Sequence, residues 1–415
     1  MNQDANPAAA VPDRPLSGIR VLDISTFIAG PFGSEILGSL GAEVIRIDPP
    51  PAEPLPPSRP KGEPVSEEDG RFWAMQRNKR SICLDLKTAG GKAVFYDLVR
   101  KADIVFDNLR AGVLERLQID YETLRNINPR IISCSVTGFG SHGPWAKVAA
   151  YDIAVQAMSG AMAFTGAGDG VPVRWGVPVG DIGASLYAVM GVFAALEDLE
   201  RTGKGQRIDV SMLDCQLALH TFRVPQSFGA GIEFTQPSPR RGGAGAVPYG
   251  PFLCKDGAWV VIGVATNFWK SFCKTIGAPE LIDDERFRNL KLRQKNQPEL
   301  DALIETYMVR ETTDTWEQKL MDAKVPVGKV NTIKQAFEQS QAVARGMTVT
   351  FVAPGGQEIR VAASPIKFFG EPDLAQTPPS PTGSDTERIL GELLNYSQQR
   401  LTELRAAGAI DGGHV

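Results

Sequence analysis

From Ile19 onward, short β-branched runs alternate with stretches of helical periodicity, and no other feature constrains the fold of this chain as tightly. IRVLDIS (19–25) reads as a buried strand, and the stretch from Pro31 to Leu40 as a helix opening on a proline. EVIRID (43–48) is a second strand, followed by a Pro-rich loop without periodicity from Pro49 to Pro64. SICLDL (81–86), ADIVFDN (102–108) and RIISCSV (130–136) are further strands, with helices through 94–99 and from Val113 between them. Such alternation implies right-handed βαβ units and a mostly parallel sheet, an α/β fold. Ligands of these sheets sit at the carboxyl ends of strands. The loops after Ile24, Asp107 and Val136 are therefore where a site is expected.

Beyond residue 150 the texture changes. Asp181 opens an apolar helix, DIGASLYAVMGVFAALEDLE (181–200), which stops at Thr202 and Gly203. QRIDVSM (206–212) is one more strand, and Gly- and Pro-rich sequence over 229–251 reads as a linker or mobile loop. WVVIGV (259–264) with helices near 268–276 and 300–307 forms a smaller α+β unit, and strand-like runs return at 347–352 and 359–363. Residues 1–15 read as a disordered leader without an apolar core. The most apolar stretch, 187–196, is followed by charges and is expected to be a buried helix rather than a membrane span.

Composition narrows the function. With 415 residues, 43% hydrophobic and 22% charged, the chain has the make-up of a folded protein rather than a disordered one. A net charge of −4 and a pI near 5.6 argue against a nucleic-acid partner. Five cysteines, scattered and without a CxxC, exclude a disulfide framework or zinc ribbon and fit a reducing, cytoplasmic setting. The three histidines are too few for a His-based metal cluster or triad, so no metal is expected.

Three features are candidates for chemistry. GFGSHG (138–143) matches GxGxxG after a strand, but Pro144 spoils the helix that should follow, and no acidic residue stands at the end of a next strand. Nicotinamide binding is therefore not expected, although a glycine turn there can approach a phosphate closely. Asn78, Lys79, Arg80, Lys87, Arg110 and Arg116 gather at the ends of sheet elements. They suit either a solvated surface or a polyphosphate ligand. Asp181 is either a first-turn carboxylate favoured by the helix dipole or a nucleophile in an apolar setting. Asp152, preceded by Tyr151, is a second carboxylate with the same two readings.

Taken together, PLSGIRVLD, the turn at Ala29, Gly30 and Pro31, LGAEVIRID, NKRSICLDLK, ADIVFDNLRAGV, YDIAVQAMSG, GVPVGDIGASLYA and TGKGQRIDVSML occur in the order seen in class III CoA-transferases. The chain resembles that family, the CaiB/BaiF group, from about Leu16 to its end. The resemblance implies a Rossmann-like large domain from 16–225 and 331–415, a small domain with linkers over 226–330, and an interlocked, ring-like homodimer. It implies that Asp181 attacks an acyl-CoA thioester and passes through an aspartyl anhydride and an aspartyl-CoA thioester. Its carboxyl pKa is expected near the ordinary value, so that it is ionised at pH 7. No cofactor beyond coenzyme A is implied.

By position, the resemblance carries CoA contacts onto Ile28 and Ala29, onto Leu84, Asp85, Leu86 and Lys87, onto Asn108, Leu109 and Arg110 with Arg116, and onto Val136, Thr137, Gly138 and Phe139. Formyl-CoA transferase has Gln where this chain has Ile28, which speaks against formate or oxalate. Its glycine run over the aspartate has a counterpart here in Gly242, Gly243 and Gly245, expected as a lid. The sequence around RRGGAGAVPYG resembles the branch exchanging CoA between succinate and dicarboxylates such as glutarate, itaconate or malate. Arg174, Arg240 and Arg241 are candidate partners for a second carboxylate. Two alternatives remain: a racemase of the same family, disfavoured because Tyr151 stands where its histidine base would be, and a CoA-binding subunit of a heteromeric transferase.

Overall fold

Six parallel strands run in the order β3–β2–β1–β4–β5–β6, and a short C-terminal strand, Ile410–Asp411, closes the β3 edge antiparallel to it. They are β1 (Arg20–Asp23), β2 (Glu43–Asp48), β3 (Lys79–Leu84), β4 (Ile104–Asp107), β5 (Ile132–Thr137) and β6 (Arg207–Ser211). This is the doubly wound order in which the sheet changes direction between its first and fourth strands. The computed structural model describes residues 14–50, 65–166, 171–234, 245–368 and 376–411; of the leader expected at 1–15, only Arg14 and Pro15 fall within them.

The strands are covered on both sides, which is why they read as continuous apolar runs. Successive residues point to opposite faces. Val21, Ile104 and Phe106 pack with Leu37 and with Ala184, Ala188 and Val192 in one core. Leu22 and Val105 pack with Val94, Phe95 and Leu98 and with Ile389 and Leu401 of the C-terminal helices in the other. The helices of this region include α1 (Ala29–Ser39), α2 (Glu67–Met75), α3 (Ala89–Val99), α4 (Val113–Leu117), α5 (Tyr121–Ile127), α6 (Asp152–Met158), α7 (Val179–Thr202) and α8 (Met212–Leu219).

Several boundaries differ from the sequence reading: the third strand spans Lys79–Leu84 rather than 81–86, and a strand at Ala246–Leu253 begins inside the stretch read as a linker or mobile loop. α7 starts at Val179, two residues before Asp181, and ends as expected on Gly203, whose φ of 69° halts the helix. α1 starts at Ala29, so Pro31 lies within its first turn, where a missing N–H costs nothing. α2 is not anticipated by the apolar pattern. It is set by a capping box in which the Ser66 hydroxyl accepts the Asp69 N–H and the Asp69 carboxylate accepts the Ser66 N–H. Trp73 on this helix packs on Phe351 of an antiparallel hairpin, Thr348–Val352 with Glu358–Ala362, at 5.9 Å between ring centres.

The chain divides into two compact units. One comprises Met1–Ser159, Gly176–Pro225 and Ala344–Val415; the other comprises Gly160–Trp175 and Gln226–Val343, whereas the sequence reading starts the inserted domain at 226 and stops it at 330. Within the second unit, β7 (Ala246–Leu253), β8 (Trp259–Ala265) and β9 (Val327–Lys329) form an antiparallel sheet. Its core holds a fully buried Arg293, which donates from Nε to the Val247 carbonyl at 3.0 Å and stacks on Trp269.

Candidate active site

Because β1 and β4 are neighbours whose following segments diverge, a crevice opens at their carboxyl ends. A cavity of about 580 Å³ occupies it, walled by the turn after β1, the loop after β4, the end of β5, the head of α6 and Asp181 of α7. Arg71 of α2 also reaches its wall.

The turn after β1 is held in an unusual shape. Phe27 has a φ of 62°, a left-handed conformation that bulky residues rarely take. Asn108, from the loop after β4, clasps the preceding residue: its Oδ1 accepts the Thr26 N–H at 2.8 Å and its Nδ2 donates to the Thr26 carbonyl at 2.7 Å. Beneath the turn, the fully buried Lys79 ammonium donates to Asp23 Oδ2 at 2.9 Å and to the Pro31 carbonyl at 3.0 Å. The charge of Lys79 is thus spent on a structural pair. It does not face the cavity.

Asp181 occupies the third position of α7, half-buried. The helix N-terminus favours its ionised form. Burial opposes this, and the nearby Asp152 carboxylate adds to the opposition, so the carboxyl is pushed up to about 6. This corrects the expectation of an ordinary value. At pH 7 the group is still mostly ionised. Asp152 opens α6 and bridges the two helices: its Oδ1 accepts the Gly180 N–H at 2.7 Å and its Oδ2 accepts Gln156 Nε2 at 2.5 Å. Gly180 is required at that contact, since a Cβ there would stand 2.5 Å from Gln216 Nε2 and 2.8 Å from Asp152 Oδ1. One turn on, Ser185 Oγ lies 2.5 Å from the Ala29 carbonyl and 2.7 Å from that of Asp181, tying the head of α7 to the start of α1. Such a chamber offers an ionised, partly desolvated carboxylate beside a turn of exposed backbone. That is the arrangement for nucleophilic acyl transfer. Among the described residues no histidine lines it.

The family model described as CoA-transferase family III matches residues 16–386. The chain belongs to CoA-transferase family III. This transferase is 34% identical over 403 residues to the succinyl-CoA:glutarate CoA-transferase of Mus musculus, covering 96% of this chain and 91% of that protein. It is 36% identical over 378 residues to the acetyl-CoA:oxalate CoA-transferase of Acetobacter aceti, covering 90% and 94% respectively. Among solved structures, a CaiB/BaiF family protein from Brucella suis superposes with a TM-score of 0.80 at 32% identity, covering 92% of this chain and 99% of that one.

The transferase brings many of the sequence-predicted residues to one place. Ile28 and Ala29, Asn108 to Arg110, Val136 to Gly138, and Asp181 all line the cavity. Leu84, Asp85, Leu86 and Lys87 lie at the carboxyl end of β3, on the same edge of the sheet but outside the cavity wall. Arg116 is exposed on α4, and Phe139 packs edge-on against Trp145; neither lines the cavity. Arg174 and Gly245 belong to the second unit, where both are exposed. Arg240, Arg241, Gly242 and Gly243 lie outside the described residues.

Among the wall residues that escape the sequence reading are Phe27 and Arg71. Phe27 has no sequence signal, because its role is a backbone conformation. Arg71 sits four residues after Glu67 and three after Glu68, a spacing that reads as an ordinary solvated ion pair.

Proposed function

We propose that this transferase moves CoA from succinyl-CoA to a dicarboxylic acid such as glutarate, itaconate or malate, with Asp181 as the acyl carrier. The observation that carries this reading is the Asp181 carboxylate itself: half-buried, raised to about 6, and opening into the cavity at the strand ends. An Asp181 oxygen attacks the thioester carbonyl, the C–S bond breaks, and CoA leaves as the thiolate, giving a mixed anhydride. The thiolate then attacks the aspartyl carbonyl, releasing succinate and leaving an aspartyl-CoA thioester. The acceptor carboxylate displaces CoA from that thioester to form a second anhydride. The thiolate attacks the acceptor's acyl carbon, forming the product and freeing Asp181. One thioester is exchanged for another, so the sequence requires no outside energy source.

In this reading the backbone of the turn at Ile28 and Ala29 and the loop at Asn108 to Arg110 carry CoA, with Leu84 to Lys87 further along the edge. A homodimer is supported by the exposed apolar face of α7, where Leu186, Met190 and Phe193 lie open. A cytoplasmic location accords with five buried, unpaired cysteines. The test is trapping. Protein incubated with succinyl-CoA and hydroxylamine should acquire a hydroxamate at Asp181, and Asp181→Ala should lose both the adduct and turnover. Exchange continuing in Asp181→Ala would remove the mechanism.

A further inference from the structure

A dicarboxylate bound beside Asp181 and Asp152 would add its own negative charges to a chamber already holding two carboxylates. Like charges at such range repel strongly unless a cation intervenes. Among the described residues lining the cavity, the cations are Arg71 and Arg110. Arg110 is exposed on the loop after β4, whereas Arg71 is half-buried.

The position of Arg71 follows from how α2 is fixed. The Ser66 capping box sets its start, the Arg46 guanidinium lies 5.5 Å over the Phe72 ring, and Trp73 packs on Phe351. With α2 fixed at its cap and through Phe72 and Trp73, Arg71 lies on the cavity wall. Glu67 and Glu68 stand at i−4 and i−3, yet among the described residues the Arg71 side chain makes neither an ion pair nor a hydrogen bond. A half-buried guanidinium with all its donors free, in a chamber with the nucleophile, is suited to a bidentate carboxylate.

We propose that Arg71 is the specificity-determining residue of this transferase, binding the distal carboxylate of the acid whose near carboxylate reacts at Asp181. This rests on the dicarboxylate reading above. It gives the chamber two ends: Asp181 for the acyl group being exchanged, Arg71 for the group that is not.

The test compares wild type with Arg71→Gln and Arg71→Lys, using succinyl-CoA as donor and either glutarate or glutaramate as acceptor. Glutaramate has an amide in place of the distal carboxylate. Arg71→Gln should lower kcat/KM for glutarate roughly 10- to 100-fold, the range for one charge-assisted contact. Arg71→Lys should fall between, since an ammonium lacks the planar fork. The preference of wild type for glutarate over glutaramate should collapse in Arg71→Gln. Calorimetric affinity for free CoA should be unchanged, which also certifies the fold of the variants. Equal glutarate activity in wild type and Arg71→Gln overturns the proposal, and so does a loss of free-CoA affinity with the glutarate preference retained, which would make Arg71 a phosphate ligand. Wild type that transfers CoA to no dicarboxylate, but does so to monocarboxylates, overturns the underlying substrate reading and this assignment with it.

Discussion

A carboxylate that carries an acyl group must be ionised to attack, yet a more basic oxygen attacks better. Asp181, raised to about 6 by burial and then by Asp152, meets both needs near pH 7. Activity limited by acylation should therefore fall as pH drops through about 6, where Asp181 takes up its proton. Asp152→Asn removes the neighbouring charge while its amide oxygen can still accept the Gly180 N–H. The acidic limb of the pH–rate profile should then move to lower pH, and an unmoved limb would mean that another group sets it. The same shift has a consequence for stability. A carboxyl whose folded pKa lies above its unfolded value of about 4 stabilises the fold when protonated and loses that contribution as pH rises through 4 to 6. Asp181→Asn, a neutral isostere, should accordingly melt at a higher temperature than wild type at pH 8 and at nearly the same temperature at pH 4. Thermal scans at the two pH values check the sign.

The elements that build the chamber are held together by side chains rather than by sheet bonds alone. Asn108 from the loop after β4 clasps Thr26 through both its amide atoms, and so fixes the left-handed turn at Phe27. Asn108→Ala removes two hydrogen bonds worth about 1 kcal/mol each and should raise KM for acyl-CoA by roughly tenfold or more, with kcat less affected. A kcat loss at unchanged KM would place Asn108 with the chemistry instead. The strands of this scaffold could be read in the sequence because each is a short β-branched run bounded by polar residues, and the carboxyl-edge loops followed from their order. Asp181 stood out as a carboxylate at the head of an apolar helix. α2 did not, since its capping signal is confined to Ser66 and Asp69 and its partners Phe351 and Arg46 are remote in the chain. Arg71 was hidden for the same reason: its local spacing to Glu67 predicts an ion pair, and long-range packing decides otherwise. The bond between Asp152 and the Gly180 N–H, spanning 28 positions, leaves no local pattern to read, and neither does the raised pKa.

At the scale of the molecule, α7 carries an apolar face that the chain itself leaves exposed. It runs for 24 residues and by length and composition alone could cross a membrane. One side is committed: Ala184, Ala188, Val192, Ala195 and Leu199 are buried against the sheet. The other side leaves Leu186 at 47%, Met190 at 54% and Phe193 at 39% exposure, successive turns of one stripe, with Leu217 and Leu219 of α8 exposed as well. A bilayer is a poor occupant, because the helix carries Glu197, Asp198, Glu200 and Arg201 in its last turns and its committed side cannot be released without emptying a core. A second copy of the chain would cover such a stripe without disturbing the first. The expected outcome is a dimer by sedimentation at micromolar concentration, and a shift toward monomer in Met190→Glu, where a charge would be buried unpaired at the contact. Since α7 also carries Asp181, monomerisation should lower turnover together with association as the protein is diluted. Wild type that sediments as a monomer across the accessible range would leave the stripe without its occupant, and would separate the assembly from the chemistry of the chamber.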